Sequence, residues 1–246
     1  MADALESVAR EIAPTGVLRA GINMGNILLV TGTGADGDPA GVAPDLAREI
    51  AARLRLPVRF APFARPAELA DAASDDVWDI GLIGAEPARA EKIAFTAAYA
   101  EIEATYLVPA GSPLRTVSDV DQPGVRISVA AGSAYDLWLE RNLKRATLVR
   151  SPSTAEAEAV FAAERLEALA ALRQGLLASQ GRLAGSRILP GRFMTVQQAV
   201  GTQKEKAAGA GFLRSFVEQA KASGLIARLL ERHGMSDRLT VAPPAS

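Results

Sequence analysis

The stretch that decides the fold is "WDIGLIGAEPARAEKIAFTAAY", Trp78 to Tyr99. Its first half, "WDIGLI", is a short apolar run with the character of a buried strand. It leads into a loop holding Glu86, Pro87 and Arg89 among small residues. A guanidinium in such a place needs an anion, which is either a carboxylate of the chain or a ligand.

On either side the pattern alternates. "GVLRAGI" (Gly16 to Ile22) and "ILLV" (Ile27 to Val30) read as strands separated by the turn residues Asn23, Gly25 and Asn26. "PDLAREIAARL" sets Leu46, Ile50 and Leu54 four apart, one apolar helical face. "PVRFAPF" is a further strand and "AELADAA" a short helix. Strands alternating with helices imply a parallel α/β sheet. After "TYLVPAGSP" the pattern restarts: "GVRISVAAGSAYDLWLERNL" is strand, Gly turn and helix, followed by the strand "ATLVRS", the helical "TAEAEAVFAAE" and the apolar "RLEALAAL". The segment "GFLRSFVEQAKASGLIARLLERHG" is helical, with Phe212, Phe216 and Ala220 on one face and Gly224 as a break. Two α/β units joined through extended strands suggest two lobes.

Composition narrows the function classes. In 246 residues, 27 Lys and Arg stand against 28 Asp and Glu, so no basic excess exists to hold nucleic acid or an anionic membrane. Cys is absent and His233 is the only His, which argues against disulfides, thiolate chemistry and a zinc site; neither a metal nor a cofactor is expected. No apolar run approaches the roughly 20 residues of a membrane helix, so a soluble chain without membrane insertion is expected. The opening "MADALESVAREIAPTG" has no apolar block of signal-peptide length, so the location expected as written is cytoplasmic, or periplasmic if a leader has been removed.

Several motifs have competing readings. "GTGADG" fits the dinucleotide spacing at Gly32, Gly34 and Gly37, but Asp38, Pro39 and Gly41 follow it and leave no helix to receive a pyrophosphate. A hairpin tip is the better reading. "AAGSAYDLW" puts Gly132 and Ser133 between strand and helix, where backbone N–H groups and a hydroxyl can bind an anion, cap the helix, or do both. Tyr135 and Trp138 lie three apart, so one belongs in the core and the other can cover a ligand. His233 reads as a helix-end charge. Glu86, Glu101 and Glu103 read as solvated or salt-bridging carboxylates, and no residue is singled out as catalytic.

Taken in order, "GVAPDLAREIAARL", "WDIGLIGAEPARAEKIAFTAAY", "TYLVPAGSPL" and "VAAGSAYDL" resemble the bacterial extracellular solute-binding proteins of the amino-acid type, the binding components of ABC importers. The resemblance runs from "GVLRAGIN" to "LLERHG". It implies an α/β, two-lobe periplasmic binding protein-like fold with two crossover strands, near "LVPAG" and "TVQQAVG". Lobe 1 is expected at residues 1–108 and 197–246 and lobe 2 at 109–196. The implied activity is capture of a small carboxylate or amino-acid-like ligand by hinge closure, with an ABC permease as partner and the binding protein a monomer. An enzyme on the same fold, resembling cyclohexadienyl dehydratase, and a cytoplasmic ligand sensor are the alternatives.

The resemblance also supplies site residues. The family's carboxylate-binding Arg falls on Arg89, and its second carboxylate contact falls on Gly132 and Ser133. Asn23 and Asn26 follow the first strand, and ligands of open α/β sheets sit beyond the strands' carboxyl ends. Gln197 or Gln198 on the second crossover can face the same space, one of the two by alternation. The family's acid for an α-ammonium group falls on Leu172, followed by Arg173. That exchange implies a carboxylate without an α-ammonium, or one with two anionic ends of which Arg173 attracts the second. Glu86 is the alternative acid that would suit an amino acid.

Overall fold

A computed structural model describes residues 2–245. The chain divides into two compact units, one formed by the chain up to Glu101 together with Gln197 onward, the other by Ile102–Val196. The strands Ala100–Val108 and Met194–Gln203 carry the chain from one unit to the other. The first division thus falls at the start of a crossover strand, at Glu101, whereas 108 is the far end of the same strand. The helices, in chain order, are α1 (Ala2–Ile12), α2 (Val42–Leu54), α3 (Pro66–Asp71), α4 (Ala134–Asn142), α5 (Thr154–Ala163), α6 (Arg173–Arg182), α7 (Ala207–Ala222) and α8 (Leu225–Arg232). None of the described helices is long and apolar enough to cross a membrane.

In the first unit, strand Leu18–Asn23 lies between Val58–Phe63 and Ile80–Gly84 and is parallel to both. The returning strand Met194–Gln203 adds antiparallel to Ile80–Gly84. The "WD" pair explains much of the packing. Trp78 is fully buried, and its indole lies against Gly21 and Gly81, which are register partners on neighbouring strands. A Cβ on Gly81 would come within 2.9 Å of Leu69 Cδ2 and 3.4 Å of the ring, so glycine lets Leu69 and the indole pack this closely on the sheet. The indole Nε1 donates to the Leu69 carbonyl at 3.0 Å, which satisfies the ring's one polar atom inside the core. Asp79, with no exposed surface, accepts from the Arg19 amide and from Arg19 Nη2, both at 2.7 Å, and from Lys206 Nζ at 3.4 Å. A buried carboxylate is tolerable only when paired in this way.

Two local expectations change. "ILLV" forms a turn, not a strand. Asn26 organises it: its carbonyl accepts from Leu29 N at 3.0 Å and Val30 N at 2.9 Å, and its side-chain oxygen from Leu28 N at 3.2 Å. Leu28, Leu29 and Val30 still bury their side chains, while Ile27 is 70% exposed. The second difference is α1, a helix with no counterpart in the strand–helix pattern. Its Ile12 is fully buried, and its Glu11 accepts from the Gly209 amide at 2.5 Å in the first turn of α7. There it supplies the negative charge a helix N-terminus favours. "GTGADG" is a hairpin tip between Gly32–Thr33 and Pro39–Ala40, and α2 starts only at Val42. The break between α7 and α8 is at Gly224, which takes φ +73°.

In the second unit, strand Arg126–Ala130 lies between Thr147–Ser151 and Ala168–Leu172, parallel to both, and Ala168–Leu172 pairs antiparallel with Ala100–Val108. The three parallel strands therefore end at one sheet edge, where Gly132, Ser153 and Arg173 begin the following turns and helices.

Candidate functional site

In the first unit, Leu18–Asn23 and Ile80–Gly84 run parallel, so the loops that carry Asn23, Asn26, Glu86 and Arg89 leave the sheet at the same edge. Asn23 closes the first turn, its Oδ1 accepting from Gly25 N at 3.2 Å. Asn26 is buried and holds the turn described above. Arg89 opens a single 3₁₀ turn and is only 6% exposed. Its Nη1 donates to the carbonyl of Gly84, the last residue of the strand, at 2.7 Å. Glu86 is 5% exposed. Burial pushes the Arg89 guanidinium down to about 10, and the carboxylates of Glu86 and Asp71 offset only part of that effect.

Gln197 and Gln198 behave as strand alternation demands. Gln198 is buried, pairs in register with Gly84, and accepts from Tyr99 N at 2.8 Å. Gln197 accepts from Ala85 N at 2.7 Å and donates through Nε2 to Glu101 at 3.0 Å. The base of the Arg89 loop is thus tied to the returning crossover strand, and that strand's side chain to the outgoing one.

In the second unit, Ser133 is the N-cap of α4. Its Oγ accepts from Asp136 N at 3.1 Å and donates to the Ala130 carbonyl at 2.8 Å. Gly132 takes φ +68°, and its N–H donates to Asp136 Oδ2 at 2.9 Å. Asp136, 2% exposed, also accepts from Arg150 Nε at 2.8 Å. A carboxylate of the chain itself therefore occupies the Gly132 donor, and any ligand anion there competes with it. Sequence reading missed Asp136 and Arg150. The signal for Asp136 was the S-x-x-D spacing of "SAYD", a capping pattern; Arg150 has no local signal.

Tyr135 is the core member of its pair with Trp138; burial raises its phenol pKa, with hydrogen bonding to Thr154 and Ser133 acting the other way. Trp138 is half-buried and stands 5.4 Å from the Phe193 ring. Arg173 begins α6 at the same sheet edge as Gly132, but its charge is matched. Its Nε donates to Glu103 at 2.7 Å, its Nη2 to the Gly191 carbonyl, and Arg192 meets the other Glu103 oxygen at 2.9 Å. Among the acids weighed with Arg89, Glu103 is therefore a salt-bridging residue, and Glu101 bonds Gln197. His233 caps the end of α8 and pairs with Asp45 at 2.9 Å. Among the described residues no group of His, Asp or Glu could hold a metal ion.

Comparison with known proteins adds the family. Direct comparison with curated protein sequences found no match. Among solved structures, a P235GK mutant of the Thermotoga maritima protein ArgBP superposes with a TM-score of 0.73 at 20% identity, covering 92% of this chain and 99% of that one. A binding component of an ABC transporter from Wolinella succinogenes, complexed with lysine, gives 0.74 at 20% identity over 89% of this chain and 95% of that one. AncCDT-1, an ancestral amino acid-binding protein and precursor of cyclohexadienyl dehydratase, gives 0.72 at 21% identity over 92% and 99%. These likenesses establish the α/β fold of two-lobe periplasmic binding proteins. The sequence model of the bacterial extracellular solute-binding proteins, family 3, matches residues 27–236, and the chain belongs to that family.

Proposed function

We propose that this solute-binding protein captures a small carboxylate, with Arg89 as its principal contact and Gly132–Ser133 as the contact from the second unit. The observation that carries the reading is the state of Arg89. Its guanidinium is almost fully buried, and desolvation outweighs the attraction of Glu86 and Asp71, so an added anion would stabilise it. A ligand that engages groups of both units favours the conformation in which both reach it, which is the hinge closure proposed here. Asn23, Asn26 and Gln197 are proposed as neighbours of the ligand. An ABC permease is the proposed partner of a monomeric binding protein, and the periplasm its proposed place of work.

The ligand proposed lacks an α-ammonium group. The strand Ala168–Leu172 ends in Leu172, which offers an ammonium no acceptor beyond its backbone. Arg173, the next residue, would repel an ammonium, although its pairing with Glu103 weakens any pull on a second anion. Buried Glu86, an acid near Arg89, would favour an amino acid instead. A thermal-shift screen pairing each amino acid with its 2-oxo acid separates the two. Stabilisation by the oxo acids, lost in Arg89→Met, supports the proposal; stabilisation by the amino acids alone, lost in Glu86→Gln, replaces it with an amino-acid binder.

A further inference from the structure

The second unit contains a cavity of about 490 Å³, within the size range of small-molecule sites. Asn142 and Leu143 line it at the C-terminal end of α4. Gly132 and Ser133 lie at the opposite end of that nine-residue helix, about 13 Å away along its axis. The cavity therefore lies apart from Gly132 and Ser133, while Arg173 meets its wall at the Gly191 carbonyl and through Glu103, which it shares with Arg192.

Its wall is an aromatic ladder. Tyr106 and Phe193 have ring centroids 4.6 Å apart at 33°, and Phe193 and Trp138 are 5.4 Å apart at 35°. Tyr106 is buried, whereas Phe193 and Trp138 are half-buried, so the ladder runs from the core to the cavity surface. The rings are tilted in series, and the last of them, half-buried Trp138, lines the cavity, where its ring can take one more aromatic partner.

The charged groups around the cavity have hydrogen-bond or ion-pair partners within the chain. Asp121 accepts from the amides of Arg145 at 2.8 Å, Ala146 at 3.0 Å and Lys144 at 3.1 Å, and these bonds hold its carboxyl below the usual range. Arg192 is paired with Glu103. Burial, and secondarily the charge of Asp121, keep the Tyr106 phenol protonated. The hydroxyls of Thr116 and Ser118, 2.8 Å apart, add neutral polar groups to the lining. A charged ligand would have to compete with these partners, while a neutral ring with one hydroxyl or N–H would find stacking surface and hydroxyl partners.

We propose that this cavity is a second small-molecule site, for an uncharged planar aromatic compound that stacks on Trp138 as the next ring of the ladder. The chain has two tryptophans, which makes the test direct. Trp78 lies in the first unit with its indole N–H on the Leu69 carbonyl, so of the two indole N–H resonances only that of Trp138 reports on the cavity. The ¹⁵N-labelled protein is titrated with 1-naphthol and, separately, with 1-naphthalenesulfonate. The expected result is a saturable shift of the Trp138 resonance below about 1 mM naphthol, a stationary Trp78 resonance, and a response to the sulfonate weaker by about tenfold or more. Trp138→Ala, read by the ligand's own resonances, and Ser118→Phe, which fills the cavity while retaining Trp138, should each weaken naphthol binding by about tenfold. The dispersed amide resonances of residues 102–196 report that the second unit of each variant is folded. A Trp138 resonance that stays put or drifts without saturating, an equal response to the sulfonate, or undiminished binding in the folded variants would overturn the proposal.

Discussion

Replacing Arg89 with methionine separates a ligand-binding arginine from a structural one. Its depression from the ordinary guanidinium range to about 10 means that burial disfavours the cation by roughly 3 kcal/mol, net of Glu86 and Asp71. Met fills much of the same space without a charge, so the ligand-free protein recovers about that amount. Against this stands the lost charged hydrogen bond to Gly84, worth about 1.5 to 3 kcal/mol. The two nearly cancel, and urea unfolding without ligand should place the variant within about 1.5 kcal/mol of the parent. If Arg89 instead completes a structural ion pair, removing one partner of a buried pair costs about 3 to 5 kcal/mol. Binding is read by calorimetry with the acid that scores best in the thermal-shift screen. A lost anion contact of about 2 to 5 kcal/mol weakens affinity well over tenfold. A variant destabilised by more than 3 kcal/mol whose folded fraction binds with unchanged affinity would refute the reasoning. The double variant Arg89→Met/Glu86→Gln checks the bookkeeping: if Glu86 left alone is the residual cost, the double variant should be more stable than the single.

Other outcomes follow from the same contacts. Ser133→Ala removes the N-cap of α4 and should cost about 1 kcal/mol in stability, and a further weakening of ligand binding, measured by calorimetry, distinguishes a ligand contact from a cap alone. Gly81→Val drives a branched side chain into Leu69 and the Trp78 ring and should lower stability by about 1 to 3 kcal/mol in chemical denaturation, with an unaltered protein as the contrary result. The hydrogen bond from Arg173, reinforced by Arg192, holds the Glu103 carboxyl below its usual 4.5. Its stabilisation is therefore present above about pH 4.5 and disappears as acid takes the pH down through the lowered value. Glu103→Gln should flatten stability against pH in that acid window and leave the slope between pH 6 and 8, taken as roughly neutral, unchanged.

The strands at 18–23, 58–63 and 80–84, the hairpin at Gly32–Gly37 and the helix break at Gly224 were all legible in the chain, because each depends on a pattern a few residues long. The same holds for the glycine–serine turn after Arg126–Ala130 and for the loop after Ile80–Gly84 that carries Arg89. "ILLV" misled because apolar content alone does not separate a strand from a buried turn, and Asn26 decided the matter through its own carbonyl and side chain. Tertiary structure alone determined where the charges went. Arg173 finds Glu103 across 70 positions, and Gln197 finds Glu101 across 96. Asp136 secures the Gly132 amide and then Arg150, from the neighbouring strand, secures Asp136. No periodicity announces such pairs, since a long polar side chain can reach any partner that strand pairing and register bring alongside it. The sequence by itself therefore determined which residues stand at the ends of the strands, and the folded arrangement decided which partners their polar groups meet.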